Sequence, residues 1–326
     1  MKKIYRNKHF KIVLKFGLFI FFLWMFDFSV GLFLSHCYQK QKSGLLYRAT
    51  YSMDSTNADM LIFGASRANH HYVPSIFKKK LNLTCYNTGR DGETIFYNYA
   101  VLKSVLKRYS PKIVILDFSI KDFSNNEESY DRLAALLPYY ESHPGIRPIV
   151  KLKSPFQKIK LISKIYPYNS LCFTMLIGST NYNVTRDYIN DDNGYIPLTD
   201  SFNQALYIDT TNINYQLDMN KINAYISFLK DCATSGVKIY VIVSPVCVKY
   251  LYQDKSIILA KRIAKKYNVV FYDYTNDPFY LNSNFLFADR GHLNENGAKI
   301  FTNQVINEIS KNEYAIEKST PSLSVK

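Results

Sequence analysis

The chain has 326 residues, 47% of them hydrophobic and 21% charged, which excludes global disorder and gives ample material for one large domain or two small ones. A formal net charge of +15 raises nucleic acid or an anionic surface as partner. No zinc finger, RRM or other nucleic-acid module is present, and runs such as Lys78-Lys79-Lys80 read as solvated faces, so no nucleic-acid partner is expected.

The basic N-terminus (Lys2, Lys3, Arg6, Lys8, Lys11, Lys15) leads into residues 12–34, an apolar and aromatic stretch broken only by Lys15 and Asp27. At about 1.5 Å per residue, a helix of this length crosses the roughly 30 Å of a bilayer's hydrocarbon. Residues 1–36 are therefore expected to anchor the chain in a bacterial inner membrane. The basic flank keeps the N-terminus in the cytoplasm and leaves the rest facing the periplasm or cell exterior. A cleaved signal peptide is the rival reading; the length of the stretch and the lack of an Ala-x-Ala-like site after it favour the anchor. Asp27 is costly near mid-membrane unless it pairs with something: it sits either near a helix kink or protein contact, or docked against a membrane partner.

Residues 37–57 are polar and read as a linker. An α/β rhythm then begins: strands at 59–63, 84–87 and 112–117, with helical stretches at 76–81 and 94–109. It stops near Asp122 and resumes near Asn214 with strands at 238–244 and 269–274 and helices at 221–233, 256–267 and 295–310. Alternating strands and helices predict a mostly parallel sheet covered on both faces, with ligands at the carboxyl ends of its strands. Residues 123–214 are too long for a bare loop and read as an inserted cap beside that edge, with helical pieces at 132–139 and 159–165. Residues 313–326 read as a disordered tail. Cys37, Cys85, Cys172, Cys232 and Cys247 are widely spaced without a CxxC pair, so neither a metal site nor a disulfide framework is indicated.

Ser66 ends the first strand in Phe63-Gly64-Ala65-Ser66-Arg67, and Asp289 precedes His292 in Ala288-Asp289-Arg290-Gly291-His292. A serine hydroxyl becomes nucleophilic when a histidine takes its proton and a carboxylate orients that histidine. Alone, Ser66 reads as a helix cap, and Asp289 with His292 as a turn and a surface histidine. At the ends of these particular elements, the three together point to a Ser-His-Asp array, with Asp117 or Asp122 as alternatives to Asp289. The N–H groups of Ser66 and Gly89 are candidates for holding an oxyanion. Arg67 and Arg90 flank the site, either as anion binders or as solvated arginines. His70-His71 lacks a partner carboxylate for a metal, and no cofactor is called for.

These blocks resemble the SGNH hydrolase superfamily, the GDSL-like esterases, over residues 58–122 and 215–312. In that family a Ser ends the first strand, a Gly follows the second and Asp-x-x-His precedes the last helix; Ser66, Gly89, Asp289 and His292 occupy those positions. The resemblance implies an α/β three-layer sandwich around a mostly parallel five-stranded sheet, flavodoxin-like in layout. It also implies a serine esterase or O-acyltransferase without a cofactor. With a membrane anchor first, the layout is similar to envelope members that act on acylated glycans or other envelope polymers. Two departures stand out. Gly-Asp-Ser is Gly64-Ala65-Ser66 here, and Lys121 stands where an Asn side chain usually completes the oxyanion hole. Lys121 could stabilise an anion by charge, or the hole could rest on two backbone donors. The alternative expectation is a catalytically silent envelope protein that holds a glycan or a membrane-bound acyltransferase.

Overall fold

Short runs of Val, Ile, Leu and Phe are buried on both sides when strands lie parallel, and that is how these runs fold. The computed structural model describes residues 2–180, 192–211 and 214–319. Its strands are β1 (Met60–Phe63), β2 (Cys85–Asn87), β3 (Ile113–Asp117), β4 (Tyr207–Asp209), β5 (Lys238–Val243), β6 (Val248–Tyr250) and β7 (Val270–Asp273). Five form one sheet in the order β2-β1-β3-β5-β7, and every neighbouring pair is parallel. Ile62 of β1 lies opposite both Asn87 of β2 and Ile115 of β3, which fixes the register at the centre.

Side chains alternate across the sheet with the period of two that strands impose. Leu61, Phe63, Val114, Leu116, Val241 and Val243 enter one core with the helices Ile95–Leu106 and Met219–Thr234. Met60, Ile62, Ile115, Tyr240 and Ile242 enter the other, with Pro74–Leu81 and the closing helix Glu295–Ser319. Each such buried side chain contributes about 1.5–3 kcal/mol. Helix starts are set by carboxylates: Asp218 accepts from Asn220 N and Lys221 N, and Asp254 from Ser256 N and Ile257 N.

The chain runs from β1 outward to β2 and then returns across β1 to β3. That reversal opens a crevice at the carboxyl ends of β1 and β3, where open α/β sheets place their ligands.

Several expectations change. Residues 37–57 form no loose linker: helix Gly44–Thr50 and a π-helical turn at Tyr51–Ser55 bury Leu46, Ala49 and Met53 against the core. Apolar residues at 46, 49 and 53 repeat with helical spacing, which the surrounding polar residues hide. The β4–β6 pair makes a second, two-stranded sheet outside the expected strands, and Tyr207 and Ile208 stay exposed in it. The closing helix continues to Ser319, into the segment expected to be a tail; residues 320–326 lie outside the described residues.

The stretch expected to be a cap divides. Leu133, Leu136, Tyr139, Ile146 and Val150 join the core beside helix Ile95–Leu106. The turn Tyr166–Tyr168 and helix Cys172–Gly178 pack on the N-terminal helix. Among the described residues of that stretch, those after residue 191 border the crevice, where Asn193 O accepts from Asn87 N.

The N-terminal helix spans Lys2–Gln39, and its portion Lys8–Gln39, which contains an 18-residue window of mean hydropathy 2.0, is long and apolar enough to cross a membrane. It does not stand apart from the domain. Asp27 accepts from Ser163 Oγ at 2.5 Å and from the backbone of Lys164 at 2.7 Å and Ile165 at 3.4 Å. One turn later Gly31 lies against Lys164, where an added Cβ would come within 2.3 Å of the lysine side chain. At the end of the helix, Tyr38 Oη donates to Tyr139 Oη at 3.0 Å.

Candidate active site

The site starts with the way β1 ends. Gly64 has φ 151°, and a Cβ there would lie 2.7 Å from Ala68 Cβ and 2.9 Å from Asp117 Cβ. Glycine alone lets the chain turn in this space. The Gly64 N–H is held by Asn98 Oδ1 at 3.1 Å. Two residues on, Ser66 opens the short helix Ser66–His71 with its hydroxyl at the mouth of the crevice.

The second half comes from a tight loop before the closing helix. Ala288 N donates to His292 O at 2.9 Å, and Asn294 caps the helix by accepting from Gly297 N at 3.0 Å. Within the loop, Asp289 Oδ1 accepts from Gly291 N at 2.6 Å and His292 N at 2.9 Å. The carboxylate oxygens lie 3.0 and 2.9 Å from His292 Nδ1, while His292 Nε2 lies 2.7 Å from Ser66 Oγ. A carboxylate only accepts, so its position assigns the ring proton to Nδ1 and leaves Nε2 to accept from the serine. Partial burial pushes the Asp289 carboxyl up, but the His292 ring and the two backbone donors outweigh it and hold the group below the usual aspartate range. Neither Asp117 nor Asp122 takes this place: the carboxylate on His292 Nδ1 is that of Asp289, and Asp117 Oδ2 accepts from Tyr72 Oη at 2.6 Å.

Beneath the array lies a buried polar layer that sequence reasoning missed. His71 Nε2 accepts from Leu293 N at 3.0 Å, which leaves its Nδ1 proton for Ser244 Oγ at 3.1 Å. Burial first, then the Arg67 guanidinium and the two neighbouring histidines, push His71 well below the usual histidine range, in keeping with an accepting, neutral ring. Leu293 follows His292 directly, so His71 pins the loop that carries His292. His70 stands on the other side, its ring edge-on to His292 at 5.6 Å and its Nδ1 2.7 Å from Ile196 O. One signal was available: position 70 is four residues after Ser66 and shares its helix face.

The remaining candidates fall elsewhere. Arg67 is buried; it donates to Phe118 O, Ser119 Oγ and Ser244 O and pairs with Asp117 at 3.5 Å, so it ties β1 to the ends of β3 and β5 rather than meeting substrate. Arg90 is also buried, 3.2 Å from Glu93 and over the Tyr97 ring. Lys121 adopts a left-handed conformation, φ 60°, with its N–H on Asp254 Oδ1. Gly89 sits close to Ser66's helix, where a Cβ would meet Asn69 N at 2.5 Å, yet its N–H is turned to Asn87 Oδ1 at 2.9 Å. The expected oxyanion donor is thus occupied by a side chain two residues earlier. Among the described residues, no group of three or more His, Cys, Asp or Glu could hold a metal ion.

The arrangement can move a proton from Ser66 Oγ to His292 Nε2, with charge developing on the ring stabilised by Asp289. No protein-family model and no curated protein matches the chain, so the geometry carries the functional reading.

Proposed function

We propose that the chain is a membrane-anchored serine esterase or O-acyltransferase of SGNH type, acting on acyl esters of a cell-envelope or exported polysaccharide. The observation that carries this reading is the unbroken line Asp289–His292–Ser66, at 2.9 and 2.7 Å, in the crevice between β1 and β3. Ser66 attacks the ester carbonyl, and His292 takes its proton and returns it to the leaving alcohol. The acyl-enzyme then passes to water or to a sugar hydroxyl. Ser66 N–H, in the first turn of its helix, faces the developing oxyanion. The basic flank before residue 12 supports an orientation with this site outside the cytoplasm.

One observation favours a second reading, a silent scaffold that holds a glycan or a membrane-bound acyltransferase. Gly89 N–H is committed to Asn87 and the Arg67 guanidinium to internal acceptors, which leaves Ser66 N–H as the remaining one of the two expected backbone donors.

The discriminating experiment is labelling of the detergent-solubilised full chain with a fluorophosphonate, comparing wild type with Ser66→Ala and His292→Ala. The full chain is required because Tyr38 and the π-turn after it are part of the core. Labelling lost in both variants supports an activated serine. A folded wild type that never labels supports the scaffold.

A further inference from the structure

Asp27 sits at a depth that its own helix determines. Residues 12–26 are apolar apart from Lys15, and their large side chains stand free of the domain, with Phe16 65% and Phe26 64% exposed. That run covers about 22 Å at 1.5 Å per residue, short of the roughly 30 Å of a bilayer's hydrocarbon. With the helix taken as the anchor, the missing length falls on residues 27–31, and Asp27 lies inside the apolar layer or at its edge. Ser163, Lys164 and Ile165 are hydrogen-bonded to its carboxylate and share its depth.

The segment just before them has the chemistry that such a depth requires. Helix Gln157–Lys160 turns Gln157 and, just beyond it, Leu161 inward. Phe156, Ile159 and Ile162, at three-residue spacing, face outward and are 63%, 65% and 70% exposed. In water that row is an unfavourable surface. Lys158 and Lys160 flank it and have stems long enough to raise their ammonium groups to anionic headgroups.

We propose that residues 156–165 are an interfacial seat, embedded at the headgroup–acyl boundary on the side of the membrane where the domain stands. Its occupant is the lipid bilayer itself, named by continuity with the anchor helix through Asp27 and by the flanking lysines. The seat supplies the apolar depth that residues 12–26 lack, and it holds the domain at one height instead of letting it swing on a tether. This inference rests on the anchor and is independent of whether Ser66 reacts.

The test uses the full chain with its only tryptophan removed (Trp24→Phe) and a reporter introduced as Ile159→Trp, or as Phe156→Trp should the first variant fail to fold. Phe285→Trp, at a position 60% exposed on the closing-helix side, is the control. The proteins are reconstituted into phosphatidylcholine–phosphatidylglycerol vesicles and quenched with brominated lipid or with iodide. The seat requires quenching by brominated lipid at 159 or 156 and at least about threefold weaker iodide quenching than at 285. Iodide quenching equal to the control, without bromolipid quenching, overturns it and leaves a protein partner as the cover of the row. A chain that does not float with the vesicles overturns the anchor and the seat together, while fluorophosphonate labelling of Ser66 still reports the proposed chemistry separately.

Discussion

Asp289 and Asp27 are used in the same way up to a point, and then differently. Each carboxylate gathers donors from a short stretch of chain: Asp289 from Gly291 N, His292 N and His292 Nδ1, Asp27 from Ser163 Oγ, Lys164 N and Ile165 N. The difference is what stands behind the donors. Behind His292 Nδ1 is a ring whose other nitrogen touches Ser66, so charge at Asp289 can be felt at the Ser66 hydroxyl. Behind Lys164 N is only backbone, so charge at Asp27 can do no more than fix one segment against another. One aspartate belongs to a relay; the other is a clamp. The donor count does not separate them, but the partner beyond the donor does.

The largest effect expected is at the relay. Ser66→Ala and His292→Ala should each lower the rate of fluorophosphonate labelling by at least about 10³-fold, since members of such an array act as a unit. Asp289→Ala should lower it less, with little change in thermal stability, because its side chain is 56% exposed. Asp27→Ala should show the opposite pattern. It strips the partner from one hydroxyl and two N–H groups, which costs about 1–3 kcal/mol, read as a lower Tm in detergent, with labelling of the surviving fold unchanged. If Asp27→Ala abolishes labelling in protein that remains folded, the distinction between relay and clamp fails.

Gly64→Ala tests what lies under the relay. The new methyl group would sit 2.7 Å from Ala68 Cβ and 2.9 Å from Asp117 Cβ at a φ of 151°. A loss of about 2–4 kcal/mol is expected, seen as a reduced midpoint in urea. His71→Ala should cost less, about 1–3 kcal/mol, by leaving Leu293 N without its buried acceptor. Because Leu293 adjoins His292, labelling should slow about tenfold, and His71→Gln, which restores an acceptor, should recover part of it. A purely structural His71 would lower the midpoint without moving the labelling rate.

How much of this was legible depended on whether a feature was local. The five main strands were readable as short apolar runs, because parallel strands bury both faces and leave an unbroken signature in the sequence. Ser66, Asp289 and His292 were readable because each lies at an element boundary set by nearby residues. Direction was not readable. Arg67 and Arg90 read as anion binders or as solvated arginines, and only the fold shows their guanidinium groups turned inward to Asp117 and Glu93. Gly89 looked like a donor until Asn87 was found folded back on its N–H. Contacts across long stretches were invisible as well. Nothing near Asp27 points to Ser163, 136 residues away, and the short apolar stretches at 205–208 and 246–248 do not reveal that β4 and β6 pair.

The smallest effect is the pH dependence that the relay carries into stability. In the fold, Asp289 titrates below its ordinary value of 3.8, since the His292 ring and backbone donors outweigh the effect of burial. A carboxyl lowered by folding binds its proton more weakly in the native state than in the unfolded chain. Its stabilising contribution is therefore complete above the ordinary aspartate range and is lost as the pH falls through the lowered value. The side chain is more than half exposed, so solvent screening keeps the effect below about 1 kcal/mol. Urea midpoints of wild type and Asp289→Asn should differ by a constant amount at neutral pH and converge under acid conditions. A difference that widens as the pH falls would mean that the carboxyl is raised by folding, and the electrostatic reading of the relay would have to be reversed.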